Sequence, residues 1–129
     1  MRCNLTTDSI VLTPTQAAHT ESADSGLYER IERLYAGFRD HQLISYHTFS
    51  ADWQQWERHP HGDEIAVLLS GSITFMLATT KGEQCVELSS HLDYVVIPRN
   101  TWHTARVTDT ASMLFITPGE GTEHKACKG

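Results

Sequence analysis

The chain has 129 residues, of which 40% are hydrophobic and 20% are charged, and this composition predicts one globular domain and excludes a disordered or fibrous chain. Its formal net charge of −6 argues against nucleic acid or an anionic membrane as the main partner. No apolar run approaches the roughly 18 residues of a membrane-spanning helix. The N-terminal residues do not resemble a signal peptide, and three widely spaced cysteines indicate reduced thiols, so we expect a cytoplasmic protein.

The first third of the chain predicts an arm followed by one helix. Residues 1–24 are rich in Thr, Ser, Ala and Asp, with a single apolar patch at residues 10–12. We expect a loose arm there, with an edge strand as the alternative. Over residues 25–39, apolar side chains recur at helical spacing and charged residues occupy the other face. The apolar positions are Leu27, Ile31, Leu34 and Phe38.

The rest of the chain has the pattern of an all-β domain. Short runs rich in β-branched and aromatic residues alternate with turn signals from residue 41 onward. The pattern predicts eight strands, near residues 42–49, 53–58, 64–69, 72–79, 84–88, 94–98, 103–108 and 112–117. Turns about every 8–12 residues are typical of a β-sandwich or β-barrel. Residues 118–129 are polar and contain glycine, which predicts a surface tail.

The stretch from Trp56 to Glu64 carries the chemistry. Glu57, His59 and His61 share one parity, so on an extended strand their side chains point to the same face. The Gly62-Asp63 turn then starts a new strand at Glu64, which can bring this carboxylate back beside His59. His103 follows the next Pro-containing turn and could approach from a neighbouring strand of a closed barrel.

Two histidines and two carboxylates directed at one point suit a divalent metal ion. Mixed imidazole and carboxylate ligands favour Zn, Mn, Fe, Ni or Co over Mg or Ca. Without a cation, two carboxylates inside a barrel would repel each other and lose hydration, so one would have to bind a proton or pair with a base. A bound metal ion removes this conflict and couples the site to folding.

These residues resemble the first motif of the cupin superfamily. That motif is usually His-x-His, three or four residues, a Glu, six residues and a Gly. Here Glu57-x-His59, four residues, Glu64, six residues and Gly71 match this spacing, with Glu57 in the place of the first histidine. The sequence is similar to small single-domain bacterial cupins that carry a His-Pro-x-Gly-Asp-Glu variant, here residues 59–64.

A second stretch resembles the second cupin motif. That motif is usually Gly, five residues, Pro-x-Gly, two residues, His, three residues and Asn. Pro98 and His103 match it, whereas Leu92, Asn100 and Val107 stand in place of the two glycines and the asparagine. The resemblance covers about residues 45–117, and a Thr-Pro-Gly-x-Gly-Thr-Glu-His tail at residues 117–124 is a further likeness.

The resemblance implies a double-stranded β-helix, the cupin jelly-roll barrel, with one N-terminal helix. It divides the chain into an arm (1–24), a cupin domain (25–117, including the helix 25–39) and a tail (118–129). It also implies a ligand cavity, a homodimer and a divalent metal ion of unassigned identity (Zn, Mn, Fe or Ni). Carried over by position, the ligands are Glu57, His59, Glu64 and His103.

The departure at Glu57 leaves two questions open. Glu57 is a ligand, an acid–base group, or a side chain that faces solvent or pairs with a nearby arginine. A competing register makes His59 and His61 the His-x-His pair, but it leaves only two residues before Glu64 and misplaces Gly71. In the preferred register His61 lies on the turn near the cavity mouth, where it or an unliganded Glu57 would be the catalytic acid–base group.

Three functions remain open at this point. The first is a metal-dependent enzyme acting on a small polar molecule, by isomerisation, hydrolysis, cyclisation or dioxygenation. The second is a non-catalytic small-molecule binding or sensing protein that needs no metal. The third keeps the barrel and gives its acidic pocket no function. Since one fold supports many functions, the resemblance does not choose among them.

Positions outside these motifs carry weaker expectations. Tyr46, Tyr94 and Arg106 could line the pocket by strand parity. Cys85 lies in a predicted strand, where buried packing is the expected role. The remaining histidines are scattered and are expected at the surface: His19, His41, His47, His91 and His124.

Overall fold

The computed structural model describes residues 1–127, which contain eleven strands, one α-helix and one 3₁₀ turn. The strands are β1 (Asp8–Leu12), β2 (Ala18–Ser22), β3 (Gln42–Phe49), β4 (Gln55–Arg58), β5 (Glu64–Gly71), β6 (Ile73–Thr79), β7 (Gly82–Leu88), β8 (Tyr94–Ile97), β9 (His103–Arg106), β10 (Ala111–Thr117) and β11 (Glu123–Ala126). They form two antiparallel sheets, with neighbour orders β2-β1-β3-β10-β5-β8 and β11-β4-β9-β6-β7. The predicted all-β class with one helix is confirmed.

The main core lies between the two sheets. Alternate residues of β5 and β10 point inward, as period-two patterning requires of strands with one solvent-facing side. Ala66, Leu68 and Met113 from the larger sheet pack against Ile73 and Phe75 from the smaller one. Burial of these side chains, at roughly 1.5–3 kcal/mol for each large one, is the main force that closes the two sheets on each other.

The N-terminal helix is shorter than predicted. Helix α1 spans Leu27–Leu34, and a 3₁₀ turn follows at Ala36–Phe38. Leu27 and Ile31 pack with Phe38 in a second apolar cluster, but Leu34 is 55% exposed. Positive φ angles at residues 36–38 end the α-helix, so the helical periodicity of the sequence continues past the last true helical turn.

Both terminal segments are more ordered than the sequence predicted. Within residues 1–24, β1 and β2 form a hairpin, and β1 pairs with β3, so this segment is not a loose arm. Within the tail 118–129, β11 pairs with β4 over four residues. The tail's last two positions, 128 and 129, lie outside the described residues. β1 and β11 have no strong local signal, because each is stabilised by pairing with a strand far away in the chain.

The eight strands predicted between residues 42 and 117 are all present, with bounds within two residues of those expected. Gly71 at the end of β5 and two residues in the loops between strands adopt the left-handed conformation. Gly71 has φ 79°, and a Cβ there would overlap the Thr110 carbonyl group, so this position requires glycine. Leu92 (φ 72°) and Asn100 (φ 60°) occupy the places of the two motif glycines and keep the glycine-like backbone.

Candidate metal centre and its cavity

The four residues predicted as ligands meet inside the barrel. Glu57 on β4 pairs directly with His103 at the start of β9, so their side chains leave neighbouring strands on one face. His59 follows the end of β4 by one position. The turn at residues 60–63 then reverses the chain, so that Glu64 begins β5 beside His59. The expected hairpin-like return of the Glu64 carboxylate is therefore present.

One nitrogen or oxygen atom from each of the four residues lies within 4.8 Å of the other three. His59 Nε2 is 3.2 Å from Glu57 Oε1 and 3.4 Å from Glu64 Oε2. His103 Nε2 is 3.5 Å from Glu57 Oε1 and 3.2 Å from Glu64 Oε1. His59, Glu64 and His103 are buried, whereas the Glu57 side chain is 24% exposed and borders a cavity.

Hydrogen bonds behind the two imidazole rings fix which nitrogen faces the centre. The Thr122 hydroxyl donates to the Gly119 carbonyl (2.9 Å), so its oxygen accepts from His59 Nδ1 (2.8 Å). His103 Nδ1 donates to the Thr101 carbonyl (3.0 Å). Both rings therefore carry a hydrogen on Nδ1 and direct Nε2 at the carboxylates. Outer partners of this kind orient histidine ligands in metal sites.

Two buried atoms at the centre have no hydrogen-bond partner among residues 1–127. They are Glu64 Oε1 and His103 Nε2, although only 3.2 Å separates them. Glu64 Oε2, in contrast, accepts a 2.6 Å hydrogen bond from Thr117. With neutral imidazoles, lone pairs of nitrogen and oxygen face each other across the centre, which is costly in a buried site. A divalent cation at this point satisfies both atoms, so the residues fit a metal ion of the Zn, Mn, Fe or Ni class.

Protons are the alternative to a metal ion at this centre. Burial disfavours charge on the histidines, but their contacts with Glu57 and Glu64 outweigh it, raising the pKa of His59 to about 9 and that of His103 to about 10. Burial also opposes charge on the two carboxyls, yet the histidine contacts hold the pKa of Glu57 and of Glu64 below the ordinary value. Without metal, the cluster is two imidazolium–carboxylate pairs, and a metal ion has to displace protons from both Nε2 atoms.

A cavity of about 960 Å³ opens from the centre toward α1. Glu57, His59 and Glu64 form its polar end, and aromatic side chains such as Phe49 and Trp53 form much of its wall. This combination of an apolar wall and a few convergent polar groups is typical of small-molecule sites. The cavity is large enough for a molecule with an apolar body and a polar group at the centre.

His61 lies on the turn, as the preferred register predicts, 54% exposed and with Nε2 4.0 Å from Glu120. It is not among the four clustered residues. Expectations for four other residues are corrected by their positions. Tyr46, Tyr94 and Arg106 do not line the main cavity. Cys85 is exposed, because β7 is an edge strand of the smaller sheet.

The sequence analysis missed residues that support the centre or line its cavity. Thr122 and Thr117 contact His59 and Glu64, as described above. His124, expected at the surface, lies on β11 with Nε2 3.3 Å from Glu57 Oε2. His47, also expected at the surface, lines the cavity, and burial lowers its pKa. The equal parity of Thr122 and His124 was a usable signal, but only if β11 had been predicted as a strand.

Solved structures with the same architecture confirm the resemblance to cupins. A cupin-2 domain protein from Shewanella frigidimarina has a TM-score of 0.51 and 17% identity, over 60% of this chain and 70% of that chain. A cupin superfamily protein from Desulfitobacterium hafniense has a TM-score of 0.50 and 22% identity, over 59% of this chain and 65% of that chain. An oxalate oxidase has a TM-score of 0.50 and 17% identity, over 63% of this chain and 44% of that chain.

These likenesses establish the fold. At identities of 14–22%, they define a cupin jelly roll and carry no activity over to this chain. The matched region spans less than half of the oxalate oxidase chain and just under two thirds of the Desulfitobacterium chain. The sequence matches no protein-family model and no curated protein. In residues 1–127, no helix has the length and apolar character needed to cross a membrane.

Proposed function

We propose that this cupin-fold protein binds one divalent metal ion, of the Zn, Mn, Fe or Ni class, through His59, His103, Glu57 and Glu64. In this proposal the protein acts on a small polar molecule held in the adjoining cavity. The observation that carries the proposal is the pair of buried, unpartnered atoms, Glu64 Oε1 and His103 Nε2, that converge 3.2 Å apart. With neutral imidazole rings, a site built from protein atoms alone would leave both atoms unsatisfied.

Each residue of the centre has a role in the proposed site. Thr122 and the Thr101 carbonyl orient the two imidazoles, and Thr117 fixes Glu64. When bound, the metal ion would supply Lewis-acid chemistry or, in the case of iron, oxygen chemistry. The reaction class is therefore isomerisation, hydrolysis, cyclisation or dioxygenation.

Glu57 is the residue best placed to transfer a proton. Its Oε1 faces the two histidines, while its Oε2 lies 3.3 Å from His124 at the cavity. A carboxylate that borders both the centre and the cavity can accept a proton from a bound molecule and exchange it with solvent through a partly exposed histidine. Because His61 lies on the exposed turn, we assign the acid–base role to Glu57, and in that case His59, Glu64 and His103 are the metal ligands.

A second candidate function is a small-molecule binding protein that needs no metal. The raised pKa values of His59 and His103 favour it, because two imidazolium ions can neutralise two carboxylates without a cation. The cavity would then serve recognition alone.

We place either function in the cytoplasm, since Cys3, Cys85 and Cys127 form no disulfide, which suits a reducing compartment.

Elemental mass spectrometry of freshly purified, untagged protein tests the metal proposal. We expect close to one metal ion per chain, and we expect it to be lost in His59→Ala. His61→Ala is the matched control, because it removes an exposed histidine two residues away and should leave the metal content unchanged. Protein that contains no metal and does not take up added Zn, Mn, Fe or Ni would reject the metal proposal and leave the metal-free binding function.

A further inference from the structure

Apart from the histidines, the charged side chains around the cavity are all carboxylates. Four carboxylates border it: Glu57 and Glu64 at the centre, Asp52 on the wall and Glu32 of α1. Among the described residues that line the cavity, none is a lysine or an arginine. Asp52 accepts a 2.8 Å hydrogen bond from the Val107 backbone N–H.

A bound metal ion does not reverse this balance. A divalent ion neutralises Glu57 and Glu64, so the centre becomes formally neutral. Glu32 and Asp52, which are both exposed, then remain as negative charges on the cavity lining. Clefts lined by charge of one sign concentrate ligands of the opposite sign and repel ligands of the same sign.

The cavity wall favours an organic ligand with an apolar body. Phe49, Trp53 and Phe115 pack against one another with ring centroids 5.5–6.2 Å apart. Such rings bury apolar surface, and their faces also attract cations. Trp53 Nε1 is buried without a hydrogen-bond partner among the described residues. The wall therefore matches a molecule that carries an aromatic or aliphatic group.

We propose that the cavity takes a cationic or uncharged organic molecule, such as an amine or an alcohol with an apolar body, and discriminates against carboxylates and phosphates. This ligand class rests on the proposed function, because it places the ligand at the same centre. It extends that function by naming the charge and the apolar character of the ligand.

Three probes of nearly equal size test the ligand class: 2-phenylethylamine, 2-phenylethanol and phenylacetate. Isothermal titration near neutral pH, with zinc-loaded and with metal-free protein, should give the tightest binding for the amine and the weakest for phenylacetate. We expect a difference between these two of about 10-fold or more in Kd. Glu32→Gln and Asp52→Asn should each reduce this difference in Kd several-fold. Glu29→Gln should leave the difference unchanged, because Glu29 lies on α1 but does not line the cavity.

The outcomes separate the ligand class from the metal proposal. Zinc-loaded protein that prefers phenylacetate, or that binds none of the probes at millimolar concentration, overturns the ligand class and leaves the metal proposal standing. Protein that takes up no metal but still prefers the amine supports the ligand class and rejects the metal proposal.

Discussion

The two histidines of the centre are held by different parts of the molecule. His103 is oriented by the backbone carbonyl of Thr101, two residues earlier in the chain. His59 is oriented by the hydroxyl of Thr122, 63 residues away in the C-terminal segment. The orientation of the His103 ring therefore depends on local backbone geometry. The orientation of the His59 ring depends on a side chain that is positioned by the pairing of β11 with β4.

This difference has a consequence for how the centre forms. Any residue at position 101 supplies a carbonyl, so the His103 half of the centre tolerates substitution there. At position 122 a hydroxyl is required, and it has to be placed by the Gly119–Thr122 turn and by β11. The C-terminal segment thus determines whether four converging side chains become a centre with both Nε2 atoms directed inward.

The largest effect on metal affinity is expected from removal of either imidazole ring. His59→Ala and His103→Ala should each weaken metal binding by more than about 100-fold, since a lost ligand costs more than a lost outer partner. Competition titration with a chromogenic zinc chelator measures this. His91→Ala, an exposed histidine elsewhere in the larger sheet's loops, is the control. Equal zinc affinity in His59→Ala and the wild type would remove His59 from the centre.

The next-largest effect on metal affinity tests whether the two imidazole rings are held differently. Thr122→Val should lower metal affinity by about 10–100-fold, because His59 loses its acceptor, and Thr122→Ser should restore it. Thr101→Val should have little effect, because the carbonyl that holds His103 remains. The same titration measures all three variants. Equal losses in the Thr122 and Thr101 valine variants would show that the two rings are held alike.

The pH dependence of metal-free protein should follow from the histidine pKa values. A histidine whose pKa rises from 6.5 to about 9 or 10 on folding stabilises the protein fully below pH 6.5. This contribution is lost as the pH rises through 9–10, where two buried carboxylates lose their counter-charges. We expect Tm to fall by roughly 5 °C or more over this range. Zinc-loaded protein should show a much smaller fall, and identical profiles would contradict the assignment.

The smallest effect concerns how β11 is attached to β4. Arg58 and Glu123 form a partly exposed ion pair across these strands, with Nη2–Oε2 at 2.9 Å. Glu123→Gln should change the free energy of unfolding by less than about 1 kcal/mol, because exposed pairs contribute little beside the backbone ladder. Urea denaturation measures the change. A loss of several kcal/mol would mean that the ion pair, and not the strand pairing, positions Thr122.

The sequence alone determined the all-β class, the eight strands between residues 42 and 117 and the four clustered residues. Those features depend on local information: period-two alternation, turn residues, and motif spacing around Glu57, Glu64 and His103. Even the substituted glycine positions were marked by motif spacing, and Leu92 and Asn100 keep the left-handed backbone there.

Only the tertiary structure decided the order of the terminal segments and what they contribute. β1 and β11 lack strong local patterns and gain hydrogen bonds from strands far away in the chain, whereas β2 pairs with its neighbour β1. The approach of Thr122 and His124 to the centre likewise depends on long-range packing. A sequence pattern predicts on which face of a strand a side chain lies. The residue that it contacts on that face is set by the pairing of strands that are distant in the chain.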